Sequence, residues 1–216
     1  MNPNNMTVFV VSTVDSDNNA YQGIIDNMNG NTGWLLYAKM SGSDNYWQWR
    51  TGTGSGQTII SAAADTVVPN TPSIVTLKMQ GSDGAGGGTT TQTLSVNGKS
   101  EATSSAVFTK KTATTSTPML GKVGSFQLTG QMAEVIIYDR DLTTAEQYEV
   151  EAYLSRKYGV SISTSASSSH TGILHPVDTI PINKGSDPFI DLVQRSGSPS
   201  YPQQDSAGAF LTPDDR

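Results

Sequence analysis

The sequence contains no cysteine among its 216 residues. We therefore expect no disulfide framework, no thiolate metal site and no cysteine nucleophile. The chain can fold without covalent cross-links, because a β-sandwich of about 150 residues already buries roughly 70% of its unfolded surface. This absence does not determine the redox compartment, and it does not exclude a bacterial or viral exterior.

Positive charge and long apolar runs are also scarce. Lys and Arg number 13 against 19 Asp and Glu, which gives a formal net charge of −6. The basic residues are scattered rather than striped, so we expect no nucleic-acid partner. No apolar run is long enough to cross a bilayer, and the first residues lack the features of a signal peptide. We expect no membrane insertion and no export by such a peptide.

Two familiar catalytic patterns are missing as well. The two histidines, His170 and His175, lie far along the chain, and no Gly-x-Ser-x-Gly elbow occurs. We interpret them as solvated side chains rather than parts of a hydrolase triad. The glycine-rich residues 84–88 are not followed by Lys-Ser/Thr and open no helix, so we predict a hairpin tip there instead of a phosphate loop.

What the sequence does contain is a series of short segments rich in β-branched and aromatic residues. About ten such segments with turn signals between them indicate an antiparallel sandwich. They are residues 6–14, 22–27, 34–40, 46–51, 57–62, 73–80, 91–96, 106–109, 125–128 and 132–138.

Residues 130–159 contain a strand pattern followed by a helix pattern. Residues 132–138 are apolar at almost every position, which predicts a central strand buried on both faces. Thr143 and Glu146 have the spacing of a capping box, and Gly159 can adopt the left-handed conformation that ends a helix. We therefore predict one surface helix that starts near Thr143 and docks through a single apolar stripe, which consists of Val150, Leu154 and Tyr158.

Three parts of the sequence resemble a known family. Residues 130–146 resemble the closing strand and following turn of laminin-G-like modules in the concanavalin A-like superfamily. Residues 94–99 resemble the family's hairpin with an Asn-Gly turn, and residues 7–14 with 23–25 resemble its paired strands. Over residues 6–160 the resemblance implies an all-β fold, an antiparallel two-sheet jelly-roll sandwich with one C-terminal helix.

Family members that hydrolyse glucans carry paired carboxylates about 5 Å apart. The sequence has no Glu-x-Asp-x-x-Glu cluster, and Glu134 and Asp139 are five residues apart, which places them on opposite faces of a regular strand. We therefore expect a non-catalytic protein.

Several possible metal ligands occur near residue 15. Asp15, Asp17 and Asn19 resemble the start of an EF-hand loop, but Ala20 stands where glycine is needed and Asp26 lies in a predicted strand. We expect a polar turn and no cofactor. In a different geometry, as in some laminin-G-like modules, these three residues could hold a calcium ion.

The aromatic residues between positions 34 and 50 favour glycan binding, because aromatic rings stack on the apolar faces of sugars. Alternation along the strand puts Trp47 and Trp49 on one face, and we predict that this face is buried. The candidate carbohydrate-binding residues are Trp34, Tyr46, Gln48 and Arg50.

The composition changes after residue 160. We predict a sandwich over residues 1–160, a serine-rich linker over 161–169 and an extended tail over 170–216 that has too little periodicity for its own core. Its apolar side chains would otherwise be exposed, so we expect them to contact the sandwich or neighbouring subunits. These tail contacts are Ile173, Leu174, Ile180, Ile182, Phe189, Ile190 and Leu192.

We predict from these features a structural or interaction protein. The preferred interpretation is a virion component, such as a capsid decoration or tail subunit, that displays a lectin-like sandwich and attaches through its tail. Its partners would be protein subunits of an assembly or copies of itself. The alternative is a carbohydrate-binding module of an extracellular or cell-surface bacterial protein, with surface glycans as its partners.

Overall fold

The computed structural model describes residues 5–15, 21–40, 44–81, 88–108, 117–163, 203–204 and 210–211. The chain divides into two units, Met1–Ala166 and Ser167–Arg216. The first unit contains the sandwich strands and the helix. Its elements are β1 Asn5–Val14, β2 Tyr21–Asp26, β3 Trp34–Lys39, β4 Tyr46–Gly52, β5 Gln57–Ser61, β6 Ser73–Gly81, β7 Gly88–Val96, β8 Lys99–Phe108, β9 Met119–Leu120, β10 Lys122–Val123, β11 Phe126–Gln127, β12 Gly130–Tyr138 and α1 Thr144–Tyr158.

The second unit contains the predicted tail and the last residues of the predicted linker. Its described residues form β13 Gln203–Gln204 and β14 Phe210–Leu211, which pair antiparallel. The predicted tail contacts between residues 173 and 192 lie outside the described residues. Across the part of the chain that is described, no helix has the length and apolar character needed to cross a membrane.

Two five-stranded antiparallel sheets form the sandwich. The first has the order β12-β1-β6-β7-β8, and the second has the order β5-β4-β3-β2-β9. The short hairpin of β10 and β11 is a separate pair. This architecture confirms the predicted two-sheet jelly-roll fold.

The main core lies between the two sheets. Val8 and Leu77 from the first sheet are buried in the same cluster as Trp34, Trp47 and Trp49 from the second. The prediction that Trp47 and Trp49 face the core is confirmed, because both are at most 1% exposed. Large aromatic side chains dominate core energetics through the area they bury, so these residues anchor the second sheet to the first.

Two predicted strand placements are wrong. β12 is an edge strand that pairs with β1 alone in its sheet, and β1 is the strand that is buried on both faces. Residues 132–138 are apolar on both sides because α1 covers the outer face of the sheet, where Ile136 and Tyr138 pack against Leu154. The segments at 7–14 and 23–25 do not pair either, because β1 and β2 lie in different sheets.

The tight turn predicted at Asn97-Gly98 is present. Both residues have positive φ angles, 49° and 77°, and the turn joins the paired strands β7 and β8. Positive φ at both central positions is the geometry that favours an Asn-Gly sequence.

The helix α1 begins and ends where the sequence predicts. The Thr143 hydroxyl accepts a hydrogen bond from the Glu146 nitrogen, and the Glu146 carboxylate accepts one from the Thr143 nitrogen. The same carboxylate pairs with both terminal nitrogens of Arg140 at 2.7 and 2.9 Å. The Arg140 hydrogen bonds and those from Thr143 lower the pKa of Glu146 to about 2. At the other end, Gly159 has a left-handed conformation with φ 68°.

One acidic residue of α1 is buried against the first sheet. The Glu151 carboxylate accepts hydrogen bonds from the Thr76 hydroxyl at 2.7 Å and from the Gln147 amide at 3.0 Å. Burial nevertheless raises the pKa of Glu151 above its ordinary value, because the two donors offset only part of the desolvation. This carboxyl group therefore couples helix docking to pH.

We expect Thr143→Ala to lower the free energy of unfolding by about 1 kcal/mol, because it leaves the Glu146 nitrogen without its cap. Urea unfolding of the full chain measures the change. Thr144→Ala is the matched control, since Thr144 is the first helical residue and exposed. An equal loss in the two variants would contradict the capping role.

We expect Glu151→Gln to change the pH dependence of stability. Because the folded state raises the pKa of Glu151, the stabilisation from its bound proton is complete below its unfolded value near 4.5 and is lost as pH rises. A neutral glutamine has no such loss. The variant should therefore gain stability relative to the natural protein as the pH rises above about 4.5, measured by urea unfolding.

The control for this experiment is Glu149→Gln, which changes an exposed residue of the same helix. If Glu151→Gln and Glu149→Gln followed the same pH profile, the buried carboxyl group would not be the cause.

Candidate functional site

The outer surface of the second sheet carries a group of aromatic and polar side chains. Because alternate residues of a strand point to opposite faces, burial of Trp47 and Trp49 in the main core turns their neighbours on β4 outward. The same alternation applies to β3, where Trp34 and Leu36 face the core. We call this outer surface the tyrosine face; it consists of Tyr21, Tyr37, Lys39, Tyr46, Gln48 and Arg50.

Strand pairing sets the order of these side chains. Lys39 of β3 lies opposite Tyr46 on one side and opposite Tyr21 on the other. One step along the same face, Tyr37 lies opposite Gln48. Directly paired residues on one sheet face have Cβ atoms about 5 Å apart, so these side chains form a continuous strip across β2, β3 and β4.

Both cations of the tyrosine face lie against aromatic rings. The Lys39 ammonium is 5.1 Å from the centre of the Tyr46 ring and 5.9 Å from that of Tyr21. A side-chain hydrogen bond with Tyr46 raises the pKa of Lys39, so the ammonium stays charged. The Arg50 guanidinium carbon is 5.8 Å from the centre of the Tyr37 ring. Burial raises the pKa of Tyr37 although the Arg50 charge acts in the opposite direction.

Two polar atoms of the face have no hydrogen-bond partner within the described residues. They are Gln48 Oε1 and Arg50 Nε. The Gln48 side chain is bonded through its other amide atom to the Ser61 hydroxyl at 3.1 Å, and the residue is 7% exposed. A buried polar atom without a partner costs about 1–3 kcal/mol, and a bound ligand or an ordered water would remove that cost.

A hairpin covers the β2 side of the outer surface. Val123 of β10 is buried against Leu35 and Tyr37, and the Phe126 ring of β11 is 5.4 Å from the Tyr21 ring. Gly23 makes this contact feasible, because a Cβ atom there would overlap the backbone of the hairpin. The hairpin therefore covers β2 and the part of β3 that carries Leu35 and Tyr37, whereas its own Phe126 ring stays exposed.

The predicted carbohydrate-binding residues lie in two different places in the structure. Tyr46, Gln48 and Arg50 lie together on the tyrosine face. Trp34 does not, and the prediction of a sugar-stacking role for it is corrected, because its side chain is 1% exposed and belongs to the main core. It is adjacent in sequence to residues of the face but points to the opposite side of β3.

Sequence reasoning missed Tyr21, Tyr37 and Lys39. The available signal was the alternation along β3, where Tyr37 and Lys39 occupy the positions between core residues. Their place beside Tyr46 and Gln48 depends on pairing between strands, which periodicity within one strand does not fix.

Of the three predicted calcium ligands, one lies among the described residues. Asp15 is exposed, whereas Asp17 and Asn19 lie outside the described residues. Among the residues that are described, no cluster of three or more His, Asp or Glu side chains could hold a metal ion. The calcium site stays a prediction.

The sequence profile of a family described as the concanavalin A-like lectin/glucanases superfamily matches residues 1–146. The chain belongs to this superfamily. No match was found among curated proteins. The family assignment agrees with the two-sheet architecture and confirms the resemblance inferred from the strand and turn motifs.

Similar solved structures share the fold. The botulinum neurotoxin serotype D binding domain has 15% identity and a TM-score of 0.51, over 68% of this chain and 36% of that chain. The serotype D/C VPI 5993 binding domain has 15% identity and a TM-score of 0.50, over 71% and 37%. The chain thus spans little more than a third of those structures.

A weaker similarity is found with the Ruminococcus gnavus IT-sialidase CBM40 bound to α2,6-sialyllactose. It has 18% identity and a TM-score of 0.48, over 68% of this chain and 82% of that chain.

We expect Gly23→Ala to lower the free energy of unfolding by about 1–3 kcal/mol, because the added methyl group forces the hairpin away from β2. Chemical unfolding of the full chain measures the loss. Gly56→Ala is the control, because the nearest atom to a Cβ there is 3.9 Å away. A Gly23→Ala protein as stable as the natural one would show that the hairpin does not pack on β2.

Proposed function

We propose that the protein is a non-catalytic lectin-like module that binds glycans through the tyrosine face. The observation that carries this proposal is the combination of aromatic rings with unpaired polar atoms on one sheet surface. A sugar ring has an apolar C–H side and a rim of hydroxyl groups. It therefore needs an aromatic surface and nearby hydrogen-bonding groups, and the tyrosine face offers both.

The aromatic part of the face offers ring surface to a ligand at Tyr21, Tyr46 and Phe126, whereas Tyr37 is 7% exposed. Tyr21, Tyr37 and Phe126 form a cluster with ring-centre separations of 5.1 to 5.9 Å. Tyr46 lies across β3 from this cluster, and the Lys39 side chain lies between Tyr46 and Tyr21. Rings held in this way lose little conformational freedom on binding, which favours affinity.

The polar part of the face can orient a bound sugar through hydrogen bonds. The Ser61 hydroxyl holds one amide atom of Gln48 and leaves the other without a partner among the described residues. A sugar hydroxyl can both donate and accept, so it can satisfy that atom in either orientation of the amide.

The carboxylate at the edge of the face supports a binding role rather than hydrolysis. The oxygens of Asp26 accept hydrogen bonds from the backbone nitrogens of Met28 at 2.9 Å and Gly124 at 3.2 Å. These bonds fix the β2 end and the hairpin. A glycosidase of the usual kind needs two carboxyl groups about 5 to 9.5 Å apart that are free to act on the substrate.

The finer prediction is that the module belongs to a virion or to a cell surface. In the virion interpretation, the sandwich is displayed outward and the tail at residues 170–216 binds neighbouring subunits. Its support is the composition of the tail and its apolar segments at residues 173–193. Glycan binding by the tyrosine face is compatible with either location.

We expect the full chain to bind at least one glycan on a glycan array, and Tyr46→Ala to weaken that binding by about fivefold or more in calorimetry. The reason is the loss of a stacking ring and of the phenol that positions Lys39.

Tyr153→Ala is the matched control, because Tyr153 is an exposed tyrosine of α1, which packs on the other sheet. Equal weakening by the two variants, or no glycan bound by the natural protein, would refute the proposed site.

A further inference from the structure

We propose that the glycan recognised by the tyrosine face is acidic, and that Arg50 selects it by pairing with its carboxylate. This inference rests on the proposed function and names the chemical class of its ligand.

The first step is the environment of the two cations. Four other basic side chains in the described part of the chain have anionic or carbonyl partners. The pairs are Lys99 with Glu101, Arg140 with Glu146, Lys157 with Glu134, and Lys78 with the Leu142 carbonyl oxygen. Lys39 and Arg50 contact tyrosine rings instead. The charge of Asp44 also acts on Lys39, whereas Arg50 has no ion pair among the described residues, so the Arg50 charge is available to a ligand.

The second step is the geometry of Arg50. Its guanidinium lies against the Tyr37 ring, and its Nε has no acceptor among the described residues. A guanidinium that stacks on a ring keeps its N–H groups free at the edge of its plane. The Nε is itself buried, so the terminal nitrogens are the groups that can bind a carboxylate through two parallel hydrogen bonds, which is a strong arrangement for arginine.

The third step is the position of Gln48. It precedes Arg50 by two residues on the same face of β4, so the two side chains start about 7 Å apart. One amide atom of Gln48 has no partner within the described residues. A carboxylate at Arg50 would therefore place a hydroxyl group of the same or the next sugar near Gln48.

The fourth step concerns the nearby acidic residue. Asp26 lies opposite Leu35, which in turn lies opposite Arg50, so Asp26 and Arg50 are two strands or about 10 Å apart. Repulsion from Asp26 would keep a ligand carboxylate on the β4 side of the face. Lys39, at the other end of the strip, adds a second positive charge about 14 Å along the strands.

The test compares acidic sugars with neutral sugars of the same linkage. The probes are a glucuronate-terminated oligosaccharide with its glucose-terminated counterpart, and an N-acetylneuraminate-capped oligosaccharide with its uncapped counterpart. Calorimetry on the full chain should show that the acidic member of at least one pair binds about tenfold more tightly. Raising the salt concentration should reduce this preference.

Arg50→Gln should abolish the preference for the acidic member and keep residual binding of the neutral member. Arg50→Lys should retain part of the preference, because lysine keeps the positive charge but cannot form the two parallel hydrogen bonds. If the Arg50→Gln protein fails to fold, the Arg50→Lys protein is used in its place. Arg156→Gln is the control, since Arg156 is an exposed arginine of α1. Circular dichroism verifies the folded state of each variant.

The outcomes separate the two proposals. If neutral members bind as tightly as acidic ones and Arg50→Gln leaves their ratio unchanged, the acidic ligand is refuted while glycan binding stands. If the natural protein binds no member of either pair and no glycan on the array, both proposals fail.

Discussion

The two-residue period of β3 and β4 is the constraint on which the site depends. It directs Trp47 and Trp49 into the main core and Gln48 and Arg50 to the outer surface. A slip of one residue in strand pairing would exchange the two sets and expose the largest side chains of the core. The apolar area of the tryptophans therefore fixes the register, and the register fixes the outward side chains. A stable core and a polar outer face are two results of one pattern.

One part of the outer surface of the second sheet is covered by a hairpin, and the other part is not. On the β2 side, the hairpin of β10 and β11 packs so closely on Gly23 that any larger side chain would displace it. On the β4 side, Gln48 and Arg50 keep polar atoms that nothing in the described chain pairs. Each such atom costs about 1–3 kcal/mol if it stays unsatisfied, which is a large fraction of ordinary protein stability. A ligand that paired with these atoms would remove that cost.

The sequence predicts local features of this protein better than contacts between strands. The helix α1 was predictable because Thr143, Glu146 and Gly159 act within one turn of each helix end. The inward direction of Trp47 and Trp49 was predictable from alternation. The neighbours of Tyr46 were not, since they depend on the pairing of β2, β3 and β4, and β2 has an irregularity between Gly23 and Ile25 that shifts its register. The edge position of β12 was missed because cover by a helix gives it the composition of a central strand.

An overall negative charge does not conflict with an acidic ligand. The net charge of −6 is spread over the whole chain, whereas electrostatic interactions at 0.1 M salt are screened beyond about 10 Å. A carboxylate on the β4 side of the tyrosine face would therefore respond mainly to Arg50, with Asp26 at the limit of that range and Lys39 beyond it. A nucleic-acid backbone presents many charges over a long distance and would meet the negative surface beyond the face. The same charge distribution that disfavours a polyanion is thus compatible with a single carboxylate held at one arginine.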